Sequence, residues 1–203
     1  MMDKFDHLNI GILALQGDFA LHERQLSLLG ARSRQVKLPD DLDGLDGLIM
    51  PGGESTTMEV LMDRFHLRQP LLDFARSRPI YGTCAGMILL AHDVVDNQAN
   101  VNPLRLIDID VVRNGYGRQL YSFEKTLDLM LGNGTCSIRA AFIRAPKVTR
   151  IGESVKTLGY YKDSEVLVAQ GNILASSFHA ELGDEAGLLR YFLRNFLCDK
   201  TTA

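Results

Sequence analysis

The stretch Arg78-Pro-Ile-Tyr-Gly-Thr-Cys-Ala-Gly-Met-Ile-Leu-Leu constrains this chain's fold more than any other part of its sequence. Residues 79–83 read as a short buried strand, and residues 85–94 as an apolar helix. No loop separates them, so the chain must turn sharply within Gly82-Thr83-Cys84-Ala85-Gly86. Such a turn tolerates only small residues beside its tip, which Gly82 and Gly86 supply. The small-x-nucleophile-x-small pattern is that of a nucleophile elbow, with cysteine at the tip. Elbows of this kind stand at the carboxyl edge of an open α/β sheet, where such sheets bind ligands. The following helix turns its positive end toward the sulfur, which favours thiolate over thiol. The Ala85 N–H is placed to stabilise an oxyanion.

The flanking sequence agrees with a sheet of this type. Residues 8–15 form an apolar run ending at Gln16-Gly17 and read as a buried strand. Residues 18–29 carry Phe19, Leu26 and Leu29 at helical spacing and stop at Gly30. Residues 47–50 are a second strand, closed by Pro51-Gly52-Gly53. A helix follows over 55–65, with Ser55 or Thr56 as its N-cap, and residues 70–76 are helical too. Repeated strand–helix units at close spacing predict an open, mostly parallel α/β sheet with helices on both faces. The second half is richer in strands, at 106–112, 138–143, 156–161, 165–170 and 173–178. Gly171-Asn172 forms a tight hairpin between the last two, and residues 186–197 make a closing helix. With no repeat, low-complexity tract or linker, residues 1–203 read as a single domain.

Composition narrows the chemistry. Net charge is −3 and no basic stretch occurs, which predicts no nucleic-acid partner. No run approaches the roughly 20 apolar residues of a membrane helix, and the N-terminus lacks a signal-peptide apolar region. Three widely spaced cysteines, Cys84, Cys136 and Cys198, are no disulfide framework and point to a reducing cytoplasm. CxxC and HExxH patterns are absent, so no metal site is expected. A small polar molecule is the expected substrate.

A thiol nucleophile needs a base, and the base a partner that fixes its tautomer. Of five histidines, His7 lies near the terminus, His22 and His66 sit among charges on helices, and His92 ends the helix after Cys84. All four read as solvated surface residues. His179 follows the last strand, with Glu181 two residues on. In extended chain those side chains point the same way, so Glu181 can hold one ring nitrogen while the other faces the thiol. An isolated His-x-Glu is usually an ordinary loop; the elbow is what makes it a candidate.

With the elbow and the His-x-Glu in place, the chain resembles the class I (triad) glutamine amidotransferase family. Its similarity is greatest to the branch that provides glutaminase subunits to pyridoxal 5′-phosphate synthases. The resemblance runs from Ile10 to about Leu197. It rests on Leu15-Gln16-Gly17-Asp18, Pro51-Gly-Gly-Glu-Ser-Thr-Thr57, the Gly82 elbow, Arg113-Asn114 with Gly117-Arg118-Gln119, Phe142-Ile-Arg-Ala-Pro146 and Ser177-Phe-His-Ala-Glu181. It implies a flavodoxin-like fold and hydrolysis of L-glutamine to L-glutamate and ammonia through a thioester on Cys84. By the same token Gly53, Glu54, Ser55, Arg113, Ile143 and Arg144 would contact glutamine, with no cofactor. A (β/α)₈-barrel synthase subunit would receive the ammonia within a hetero-oligomer and switch the glutaminase on. Residue chemistry fits these roles. Gly52-Gly53 lets backbone N–H groups approach the substrate as the second oxyanion donor. Arg113 or Arg144 can hold a carboxylate, and Glu54 an ammonium group. Without the rest, Gly52 to Ser55 would read equally well as a capped turn.

Where that family usually has His-Pro-Glu, this chain has His179-Ala180-Glu181. Alanine leaves the backbone between base and orienter looser than proline does, yet both working side chains are unchanged, so the triad is expected to persist. Three rival readings are a glutaminase subunit for another pathway, a non-catalytic regulatory member of the fold, and a redox sensor built on the elbow cysteine.

Overall fold

The computed structural model describes residues 5–95, 98, 100–116, 122–132, 134–183 and 186–198. The strands are β1 (Asn9–Leu13), β2 (Arg32–Val36), β3 (Gly47–Met50), β4 (Ile80–Thr83), β5 (Ala91–Val95), β6 (Ile107–Val112), β7 (Ser122–Leu131), β8 (Gly134–Ile143), β9 (Lys147–Ile151), β10 (Lys156–Tyr161), β11 (Ser164–Gln170) and β12 (Ile173–Ser176). The α-helices are α1 (Phe19–Leu28), α2 (Ser55–Arg64), α3 (Arg68–Ala75), α4 (Ala85–Leu90) and α5 (Gly187–Phe192), the last running on into a π-helical turn, Leu193–Cys198.

The central sheet has the order β10-β11-β12-β4-β3-β1-β2. Strands β2, β1, β3, β4 and β12 are parallel, and β11 and β10 extend the sheet by antiparallel pairing. The run β2-β1-β3-β4 followed by a fifth parallel strand is the flavodoxin-like doubly wound order. Side chains alternate between two cores, as a period of two dictates. Leu13, Leu48, Met50, Ile80, Ile173 and Ala175 face one side, beneath α2, α3 and α4. Ile10, Ile12, Ile49, Tyr81 and Leu174 face the other, beneath α1 and α5. Helices therefore cover both faces. A three-stranded sheet, β5-β6-β9, and the β7–β8 hairpin complete the described structure. Among the described residues no helix is long and apolar enough to cross a membrane.

Three local expectations are corrected. The helix after the elbow stops at Leu90 instead of running through residue 94, and Ala91–Val95 is strand β5. Its last carbonyls are taken by another segment: Leu104 N–H donates to Leu89 O at 2.7 Å and Leu106 N–H to Leu90 O at 2.9 Å. Those acceptors are then unavailable to a further helical turn. The N-cap of α2 is Glu54, not Ser55 or Thr56; its carboxylate accepts from Thr56 N (3.3 Å) and Thr57 N (2.7 Å). Third, strands β2, β7 and β9 carry no clear local signal. Strand β2, Arg32-Ser-Arg-Gln-Val36, is polar because it is a sheet edge. Strands β7 and β9 owe their conformation to pairing with β8 and β6.

Candidate active site

The carboxyl ends of β1, β3, β4 and β12 meet at one edge of the central sheet. Cys84 stands at the end of β4, at φ 49° and ψ −103°, a conformation unfavourable for any side chain bearing a Cβ. Its N–H donates to Ser176 O at 2.8 Å, tying the elbow to the end of β12. Both small neighbours are needed. A Cβ on Gly86 would lie 2.1 Å from the Met50 carbonyl oxygen, and one on Gly82 2.5 Å from Leu90 Cδ1. Cys84 is 6 % exposed, yet its sulfur reaches the cleft, 3.8 Å from the Ile143 carbonyl oxygen.

His179 and Glu181 follow β12. The His179 N–H donates to Ala141 O at 2.8 Å, and Ala141 N–H donates back to His179 O at 3.2 Å. This bridge to β8 orients His179 whatever residue occupies position 180. The imidazole packs against Gly52, where a Cβ would come within 2.2 Å of His179 Cε1. His179 Nδ1 donates to Glu181 Oε1 at 2.7 Å, and both side chains are buried. Ala180 does not drive the pair apart.

Electrostatics here are strong. Burial opposes a charge on His179, but interactions with Cys84 and Glu181 outweigh it and push the imidazole up to about 10. Burial likewise disfavours an ionised Glu181, but His22 and then His179 outweigh it and hold the carboxyl well below the usual carboxylate range. A depressed carboxyl stabilises the fold above its ordinary value and loses that contribution as pH falls. Below about 4.5, the ordinary glutamate value, the unfolded chain takes up a proton that the folded chain refuses. The stability advantage of wild type over Glu181→Gln is therefore expected to shrink from pH 5.5 to pH 3.5 in urea unfolding. A constant difference across that window would mean that Glu181 is not ionised in the fold.

Beside Cys84 lies a cleft of about 250 Å³, below the roughly 300–1,000 Å³ of most ligand pockets. Its lining brings Gly53, Glu54, Ser55, Arg113, Ile143 and Arg144 together with Cys84. Arg113 donates to Glu54 Oε1 at 3.0 Å, so these two are already paired. Burial would raise the Glu54 carboxyl, but hydrogen bonds from Thr57 and Thr56 lower it overall. Ser55 Oγ is buried without a hydrogen-bond partner among the described residues. Gly117, Arg118 and Gln119 lie outside the described residues.

Gln16, Gly17, Asp18, Ile88 and Asn114 also line the cleft, and the sequence alone does not single them out as site residues. Gln16 braces the loop after β3 by accepting from Glu54 N at 2.6 Å. Its signal is topological, since it follows a parallel strand at the edge that carries the elbow. His22 is a second such residue and a correction: far from being solvated, it is 1 % exposed, with Nε2 3.6 Å from Glu181 Oε1.

The chain as a whole is similar to known glutamine amidotransferases. The sequence model of the SNO glutamine amidotransferase family matches residues 12–198. Curated relatives include "Pyridoxal 5'-phosphate synthase subunit PdxT" of Francisella philomiragia, 45 % identical over 92 % of this chain and 98 % of the relative. The protein of the same name from Kosmotoga olearia is 46 % identical over 94 % and 98 %. A solved structure described as a glutamine amidotransferase superposes with a TM-score of 0.85 at 42 % identity, covering 91 % of this chain and 97 % of its own. The solved structure of PurLQS from Thermotoga maritima shares the fold, with a TM-score of 0.66 at 16 % identity over 94 % and 97 %. On a family match across most of its length, and relatives more than 40 % identical over nearly all of it, this chain belongs to the SNO glutamine amidotransferase family.

Proposed function

We propose that this chain is the glutaminase subunit of a pyridoxal 5′-phosphate synthase, acting as one domain in the reducing cytoplasm. It hydrolyses L-glutamine to L-glutamate and ammonia, and the ammonia passes to a (β/α)₈-barrel synthase partner that uses it in vitamin B6 biosynthesis. The observation that carries the reading is the elbow thiol of Cys84 in a small polar cleft, backed by the 2.7 Å His179–Glu181 pair. The relatives named as synthase subunits support the choice of pathway.

The cycle is acyl transfer. His179 takes the Cys84 proton, and the thiolate attacks the side-chain amide carbon of glutamine. Charge on the tetrahedral oxygen is met by backbone N–H groups of Gly53 and Ala85. The C–N bond then breaks, and ammonia leaves with the proton that His179 held. Water, deprotonated by His179, attacks the thioester; the C–S bond breaks, glutamate departs and the thiol is restored. Glu181 holds the imidazole in one tautomer and stabilises its charged form. Arg113 or Arg144 serves the substrate carboxylate, Glu54 its ammonium, and Ser55 and the Ile143 carbonyl supply further polar contacts.

Glutamate release tests the proposal, measured with the barrel partner present or absent and with Cys84→Ala as control. Hydrolysis is expected to rise with the partner and to vanish in the variant. No hydrolysis with the partner bound would overturn the reading in favour of a non-catalytic role.

A further inference from the structure

Helix α1 lays two polar side chains, His22 and Gln25, into an interface otherwise built from apolar residues. Three residues apart, they share one helix face. Gln25 Nε2 donates to the carbonyls of Ala180 at 3.4 Å and Gly183 at 3.5 Å, which bracket Glu181 in sequence. One turn earlier, His22 faces the Glu181 carboxylate itself. Its Nε2 lies 3.6 Å from Oε1, the oxygen that accepts from His179 Nδ1.

Packing alone does not account for an imidazole at this place. The His22 side chain is 1 % exposed, and neither ring nitrogen has a hydrogen-bond partner among the described residues; Glu181 Oε2 is likewise buried and unpartnered there. Buried polar groups without partners are destabilising, and an apolar side chain would fill the same volume without that penalty. The arrangement has a physical reason once His22 is directed at Glu181. A movement of about half an ångström brings Nε2 to hydrogen-bond distance. Tyr81, a further titratable side chain that interacts with Glu181 besides His179, is engaged with Ser176 Oγ at 3.2 Å.

We propose that His22 is a positioning residue for the Cys84–His179–Glu181 triad, its ring N–H holding the Glu181 carboxylate in line with His179. The proposal rests on the glutaminase reading above. During turnover His179 gains and loses a proton, and the same carboxylate oxygen must stay on Nδ1 in both states. Held from one side only, a carboxylate on a flexible stem swings when the imidazole is neutral. Held between two imidazoles, with its backbone pinned by Gln25, it keeps its place.

The test measures glutamate release in the complex with the barrel partner. His22→Leu is expected to lower kcat about 10- to 100-fold, as misplacement of a catalytic group by an ångström or less does, with KM unchanged within twofold. His22→Gln, which retains an N–H donor, should recover most of that loss. In a Glu181→Gln background, His22→Leu should cost less than a further twofold. Near-UV circular dichroism and binding to the barrel partner check the fold; if His22→Leu does not fold, His22→Met replaces it. An active wild type whose kcat survives His22→Leu within twofold overturns this inference alone. Equal losses in the Leu and Gln variants, or the same loss with and without Glu181, overturn it too, since that is the behaviour of a packing residue. An inactive wild type overturns the glutaminase reading and this inference with it.

Discussion

Cys84→Ala is expected to lower glutamine hydrolysis by a factor on the order of 10⁴ or more, because removing any member of a covalent triad leaves only binding and oxyanion stabilisation. The variant should still fold and bind the barrel partner. Among the described residues, the sulfur's one polar contact besides His179 is the 3.8 Å approach to the Ile143 carbonyl, a weak one to lose. The same position makes a second, independent statement about stability. At φ 49° and ψ −103° any residue with a Cβ is strained, by about 1–3 kcal/mol. Cys84→Gly removes that strain, so it should be more stable than Cys84→Ala by about 1 kcal/mol once glycine's extra conformational entropy in the unfolded chain is subtracted. Hydrolysis by Cys84→Ala within tenfold of wild type would place the nucleophile elsewhere. A Gly variant less stable than the Ala variant would show that the elbow stores no strain.

The largest effect on stability is expected at Gly86. An added Cβ would sit 2.1 Å from the Met50 carbonyl oxygen and 2.9 Å from the Met50 carbonyl carbon, both backbone atoms. Neither can retreat cheaply. Met50 ends β3, which is held between β1 and β4 in the middle of the sheet. Helix α4 cannot lift away without opening the apolar layer formed by Met87, Leu89 and Leu90. Overpacking of this kind costs about 3 kcal/mol or more, against a total stability of roughly 5–15 kcal/mol. Gly86→Ala should therefore shift the urea midpoint down by about 1–3 M, given typical slopes, or fail to accumulate as folded protein. Gly30→Ala is the control. Gly30, unlike Gly86, has positive φ, at 77°, but nothing lies within 4 Å of its would-be Cβ, so it should cost only about 1 kcal/mol. Equal midpoints for the two variants would show that the close approach of α4 to β3 costs no more than a side chain at positive φ in open space.

Much of the site was legible in the residues themselves. Gly82, Cys84 and Gly86 declare the turn by a pattern that spans only five residues, so the elbow could be read from the sequence, although the Met50 carbonyl that keeps position 86 a glycine lies on a remote strand. The same holds for the parallel strands β1, β3 and β4, whose apolar runs reflect burial on both faces, and for the Gly171-Asn172 hairpin, where Gly171 adopts φ 56°. His179 and Glu181 were identifiable because two residues in extended chain share a side.

What tertiary structure decided was settled between segments remote in sequence. Helix α4 ends at Leu90 because residues 104–106 capture its carbonyls, and no local pattern announces that capture. Glu54 became a cap and an ion-pair partner of Arg113 only once the loop after β3 was braced by Gln16 and faced the end of β6. His22 looked like one more polar residue on a charged helix until α1 was laid against the segment following β12 and its imidazole came to rest beside Glu181. Turn chemistry and periodicity act over a few residues and are written in the sequence. The partners of a helix end or of a buried polar group are chosen by which distant segments pack together, and only the assembled fold makes that choice.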